Sequence, residues 1–230
     1  MNALPHLSAL DWLSLTVFFA CWAGYGWFSE HSRWGDGGLV RTSQTFRLEW
    51  ARRMLEREIR VADSTLIGNL VTSVSFYANT TIYIIAGLLA ALGASDKLLS
   101  FTADLPFGGV GNRELLELKL MLVLASFVFA YFKFTWSLRQ FNLLCILVGA
   151  APQCKPGDPG LDACARRLAG ANSLAGDDFN RGIRAYYFGL AASGWLINPA
   201  VLGALAVCIL IVLYRRDYAS AALHVLREAD

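Results

Sequence analysis

Four apolar runs crowd into 230 residues, at 10–28, 66–93, 115–148 and 185–214. A soluble fold of this length buries one long apolar helix in its centre. It lacks the polar-faced elements needed to cover four. About 20 residues cross the hydrocarbon core of a bilayer, and each run reaches or approaches that length. Lipid offers backbone groups no partner, so such runs must be helical. The hydrophobic share is 56% and the charged share 17%, against roughly 45–50% and 25% in soluble domains. Mean hydropathy is +0.44. The expected fold class is all-α: a polytopic transmembrane helical bundle of about four long spans extending into the cytosol, plus an amphipathic cytoplasmic helix. One membrane domain covers residues 1–230. Disorder, a repeat solenoid and an ordinary soluble enzyme are set aside.

The first run is not read as a signal peptide, because no Lys or Arg precedes it. Trp12, Trp22, Tyr25, Trp27 and Trp34 suit interfacial anchoring of a retained span. Orientation follows from the basic residues. The segment 30–63 and the connection between the third and fourth runs carry twelve Lys and Arg, the opposite side five. Both major loops are therefore expected in the cytoplasm and both termini in the periplasm, in a multi-pass protein of the bacterial inner membrane. Arg215 and Arg216, directly after the last run, pull against that placement of the C-terminus.

The second to fourth runs exceed the bilayer, and their polar residues are segregated. In the second run Asn69, Thr72, Ser73, Ser75, Asn79 and Thr80 fill one half, while Ile82–Gly93 is nearly all aliphatic. The third run reverses the order: Leu120–Phe132 is apolar, then Lys133, Thr135, Trp136, Arg139, Gln140 and Asn142 follow. Under the stated orientation every polar half is cytoplasmic. Thr42–Ala62 reads as an amphipathic helix with Leu48, Ala51, Leu55, Ile59 and Ala62 on its apolar stripe. Leu105–Gly109 and Gln153–Gly160 read as loops, and Ala163–Ala175 as a short surface helix.

Three constellations are candidate sites. Asn69, Ser73, Asn79 and Thr80 form a polar stripe, which is either a cavity wall or hydrogen-bonding glue between helices. By helical spacing Lys133, Trp136 and Gln140 share one face, and Arg139 and Asn142 another. Arg139, flanked by apolar residues, is expected to pair with Asp63, Asp177 or Asp178; Lys133 can snorkel. Arg181, Arg184, Tyr186 and Tyr187 are candidates for an anionic lipid or solute, since guanidinium offers a bidentate fork. The plainer reading is positive-inside anchoring with an aromatic belt. Asp177 is read as a helix N-cap.

Other chemistries find little support. Cys21, Cys145, Cys154, Cys164 and Cys208 form no CxxC pair, and His6, His31 and His224 are far apart. No metal site and no cofactor are expected. The net charge of +2 is no nucleic-acid signature. No nucleophile, P-loop or metalloprotease motif occurs, so an enzyme is not expected, and a lipid-modifying activity ranks last.

Several segments resemble one family. They are Arg60-Val-Ala-Asp63 with Ser73-Val-Ser-Phe-Tyr-Ala-Asn-Thr-Thr-Ile82, Lys133-Phe-Thr-Trp-Ser-Leu-Arg139-Gln-Phe-Asn142, Phe179-Asn-Arg-Gly-Ile-Arg-Ala-Tyr186-Tyr187 and Tyr214-Arg-Arg-Asp217. Together they resemble the bacterial domain-of-unknown-function family number 599 over nearly the whole chain. The resemblance implies an integral membrane protein without assigned catalytic residues. The functional expectation is an oligomeric channel or transporter for a small solute, with a cytoplasm-facing polar vestibule. The alternative is a membrane scaffold or regulator binding anionic lipid or a partner through its Arg-rich helix. Expected partners are membrane lipids and further copies of the chain.

Overall fold

The structure is a computed structural model, and it describes residues 7–31, 38–103 and 112–227. Arg33, Trp34 and the expected turn at Leu105–Gly109 lie outside the described residues. Among the described residues the chain is all-helical. Its helices are α1 (Ala9–His31), α2 (Leu39–Glu56), α3 (Val61–Gly93), α4 (Ser95–Ala103), α5 (Arg113–Ala150), α6 (Leu161–Ser193), α7 (Pro199–Tyr218) and α8 (Ala221–Arg227), with a 3-10 turn at Gly194–Leu196. Three stretches are long and apolar enough to cross a membrane: Val61–Gly93, Arg113–Ala150 and Pro199–Leu226. The expected first run lies within α1, which is not among the three.

Three expectations need correction. The amphipathic helix ends at Glu56, not Ala62. Arg57 is already extended, with φ −76° and ψ 135°, and α3 begins at Val61. Ala51 and Leu55 are buried as the stripe required, but Ile59 is 74% exposed. A set of polar contacts accompanies the break. Arg60 donates to the carbonyls of Val148, Ala151 and Pro152 at 3.3, 2.8 and 2.7 Å. Val148 lies in the last turn of α5, where its carbonyl has only a 3.4 Å bond from the Ala151 N–H, and Ala151 and Pro152 directly follow the helix. We expect Arg60→Ala to cost about 1.5–3 kcal/mol, the range for hydrogen bonds to a charged group. Hydrogen exchange across 144–152 should quicken, and Arg60→Lys should restore only part of the protection. Unchanged exchange there would remove Arg60 from this role.

The second correction concerns Ala163–Ala175, which is no separate surface helix but the start of the 33-residue α6. Ala165, Leu168, Ala169, Ala171 and Ala175 are buried at helical spacing, and Ile183 continues the series. Asp177 therefore sits inside the helix and is no N-cap. The third correction is that the run 185–214 is not one helix. α6 stops at Ser193, and Pro199 opens α7. Proline suits a first helical position and breaks an interior one. The Asn198 side chain caps the new start, its Oδ1 accepting the Ala200 N–H at 2.8 Å.

The chain divides into two compact units. Unit one comprises 1–32, 80–131 and 183–216; unit two comprises 33–79, 132–182 and 217–230. The divisions at 79/80 and 131/132 fall where the sequence switches between polar and apolar halves. The core of unit one is aromatic and aliphatic: Phe18, Phe127, Phe188, Trp195, Leu202 and Leu213 are all but inaccessible. Trp22 stacks on Phe188 at 5.8 Å. At its edge Ser8 and Asp11 form a reciprocal cap on α1, Ser8 N–H donating to Asp11 and Asp11 N–H to Ser8 Oγ. In unit two, Trp50 and Met54 of α2, Ile67 of α3, Leu144 and Val148 of α5 and Leu168 of α6 converge around a void of only about 10 Å³. Helix α2 also touches α8.

Candidate functional site

Unit two holds a partly open cavity of about 440 Å³, within the usual size of small-molecule sites. Its walls are mainly apolar: Phe46 and Trp50 from α2, Leu70 and Val74 from α3, Phe141 from α5 and Phe179 from α6. The polar groups at its rim are few. Ser43, Arg47, Ser73, Asn172 and Asn180 supply them.

Arg47 is the unusual one. Its Nη1 is buried without a hydrogen-bond partner. Glycine at 176 makes the room: a Cβ there would lie 2.5 Å from Arg47 Nη2 and 3.1 Å from Cζ. The guanidinium thus lies where a side chain of α6 would otherwise be. Burial pushes it below its ordinary range, and the nearby charge of Asp177 partly offsets this. A buried, incompletely paired cation costs stability. Beside an apolar cavity it is suited to an anionic group carried on an apolar body.

A second polar centre lies at Asp178, whose side chain is 6% exposed. Lys133 Nζ approaches one carboxylate oxygen at 3.1 Å, and Arg181 stands 3.5 Å away. Gln140 Nε2 donates to the other oxygen. Nearby, Ser137 Oγ donates to the Ala175 carbonyl at 2.7 Å, and Tyr77, Phe134 and Phe179 pack ring against ring. Phe134 occupies the space that Gly182 leaves open, 2.5 Å from where a Cβ would be. These contacts tie α5 to α6 within the unit.

The expected site residues are distributed differently from the sequence reading. Lys133 and Gln140 do meet one partner, as their shared face implied. Trp136 does not join them: it is half exposed, and Arg139 lies over its ring at 5.3 Å. Arg139 has that cation–π contact instead of the expected carboxylate. Of its candidate partners, Asp63 is taken by Arg57 at 2.6 Å and by the Trp50 Nε1–H at 2.7 Å, and Asp178 by Lys133 and Arg181. Asn142 is exposed, as are Asn69 and Asn79; Thr80 is half-buried. Ser73 alone of the α3 candidates reaches the cavity lining.

The basic aromatic set does not present an open fork. In unit one, Arg184 donates to Ser29 Oγ and to Glu30 Oε1, both at 2.9 Å. Tyr186 packs edge-on against Phe127, and Tyr187 is exposed. In unit two Arg181 leans on Asp178. The Arg-rich segment is similarly engaged: Arg52 pairs with Asp162, Arg53 with Glu49 and Arg57 with Asp63.

Sequence reasoning missed Arg47, hidden among six other arginines of its segment. It also missed a cluster in unit one. Lys119 is 1% exposed, and its ammonium lies 5.8 Å from the Trp195 ring centre. The Trp195 Nε1–H donates to Asp11 at 2.7 Å. A lysine and an aspartate inside otherwise apolar runs were the available signal.

Comparison with known proteins gives one match. The model of the family described as "Protein of unknown function, DUF599" matches residues 13–222. No curated protein and no solved structure matches the chain.

Proposed function

The chain belongs to the DUF599 family, whose description assigns no activity, and from the geometry of unit two we propose that it is a membrane carrier or channel subunit for a small organic anion. The Arg47 cavity is its loading site. The single observation that carries this reading is the buried, unpartnered Nη1 of Arg47 beside a cavity of about 440 Å³ with apolar walls. The ligand is an amphiphilic anion, a carboxylate or phosphate on an apolar body. Its acidic group meets Arg47, and its body lies against Phe46, Trp50 and Phe179. The twelve-to-five distribution of basic residues supports a cytoplasmic loading side in a bacterial inner membrane.

The alternative, a scaffold gripping anionic membrane through the Arg-rich helix, has weaker support. Arg52, Arg53 and Arg57 already have carboxylate partners within the unit.

Purified protein should be stabilised thermally by a water-soluble medium-chain carboxylate or alkyl phosphate, and not by the neutral alcohol of the same chain. A second arm compares nanodiscs with and without anionic lipid. Stabilisation by the soluble anion, together with its uptake into proteoliposomes, supports the carrier. Stabilisation by anionic lipid alone assigns the cavity to a headgroup. Binding without uptake supports a sensor or scaffold, and no response to any anion overturns the reading.

A further inference from the structure

Asn172 is the most deeply buried polar residue lining the Arg47 cavity, at 5% exposure. Its carboxamide has no hydrogen-bond partner among the described residues. The spacing of α6 explains its place. Asn172, Gly176 and Asn180 follow at intervals of four, so they share one face of the helix. All three line the cavity. The Arg47 guanidinium lies against Gly176, so Asn172 stands one turn away, about 6 Å along the helix. Arg47, Trp50 and Asn172 also line the closed void of about 10 Å³, which has room for a single water at most. The three residues therefore stand together in the wall between cavity and void.

Hydrogen-bond arithmetic restricts what fits there. Arg47 has donors only, and an ionised acid has acceptors only, so these two satisfy each other. The Asn172 amide N–H groups add a further donor to the acid. Its Oδ1 needs a donor in return, and an ionised carboxylate has none. A plain fatty acid that displaces water from the cavity leaves this oxygen unanswered, which is unfavourable. A hydroxyl answers both halves of the carboxamide, donating to Oδ1 and accepting from Nδ2. An ammonium would donate too, but beside the Arg47 cation it would be repelled. We infer that Asn172 reads a hydroxyl next to the acid group, and that the ligand class is 2- or 3-hydroxy carboxylic acids with an apolar chain. This inference rests on the Arg47 cavity being an anion site and narrows what that site takes.

The test titrates octanoate, 2-hydroxyoctanoate and 3-hydroxyoctanoate against the full chain in nanodiscs of neutral lipid, with empty nanodiscs as the blank. One hydroxy acid should bind about 3- to 10-fold more tightly than octanoate, as one neutral hydrogen bond yields. Asn172→Leu should bring the hydroxy acids level with octanoate, so the ratio of affinities is the readout. Asn172→Ala, which only removes volume, repeats the comparison should leucine disturb the packing. Equal binding of the three acids by the natural protein overturns the inference and leaves the anion site standing. So does a preference that survives both substitutions. If none of the acids binds, the anion site falls and this inference with it.

Discussion

Asp178→Leu should destabilise the protein by about 3 kcal/mol, at the low end of the range for breaking a buried ion pair. The carboxylate is 6% exposed and serves Lys133, Gln140 and Arg181 together. Removing it takes away the 3.1 Å partner of the Lys133 ammonium, whose side chain is only 26% exposed, and leaves a Gln140 N–H without its acceptor. Arg181, at 39% exposure, adds little, because water screens it. For a chain of this size the loss corresponds to a fall in melting temperature of roughly 6–12 °C. Asp178→Asn should fall between, keeping a polar partner for Gln140 while losing the charge. Combining Asp178→Leu with Lys133→Met closes a double-mutant cycle, and its loss should be smaller than the sum of the two single losses, because the pair they share is counted twice in that sum. Melting curves of the four variants in one detergent decide the matter. Equal melting of Asp178→Leu and the natural protein would show that the centre contributes no net stability.

Arg47→Gln should do the opposite: it should weaken anion binding and leave stability unchanged or slightly raised. A hydrogen bond to a charged group contributes about 1.5–3 kcal/mol, which is roughly a 10- to 150-fold loss of affinity. The guanidinium it replaces is held in a buried position with one nitrogen unpartnered, an arrangement unfavourable in the absence of ligand. Relief of that cost is the signature that separates a ligand-binding arginine from a structural one. The measurement is a titration of the soluble amphiphilic anion against both proteins, beside their melting temperatures. A variant that binds normally would remove Arg47 from the site. A variant that melts several degrees lower would make Arg47 part of the packing of α2 on α6.

Much of this arrangement is legible in the chain itself. Apolar runs at 66–93 and 115–148 become α3 and α5 almost residue for residue, because a continuous apolar stretch with its hydrogen bonds internal needs no tertiary partner to be helical. The switch from polar to apolar halves near Asn79 and Phe132 marks where one compact unit gives way to the other. Family membership follows from the same segments. The shared face of Lys133 and Gln140 is simple helical arithmetic, and one acidic partner answers both.

What only the tertiary structure decided is which charges meet. Arg47 and Arg53 have the same side chain on the same helix. One lies beside a glycine of α6 with its Nη1 buried and without a partner; the other lies exposed on Glu49. Periodicity places both on α2 but not the missing Cβ at Gly176, more than a hundred residues away. Arg139 lies over the neighbouring Trp136 ring, one turn away on its own helix, while Asp63 pairs with Arg57 and Asp178 with Lys133. Arg60 donates to the Val148 carbonyl at the end of α5 across 88 residues of chain. Local pattern determines where helices form, since their hydrogen bonds are local. Ion pairs, caps and cavities depend on groups brought together from separate helices, and that pairing is a property of the packed fold.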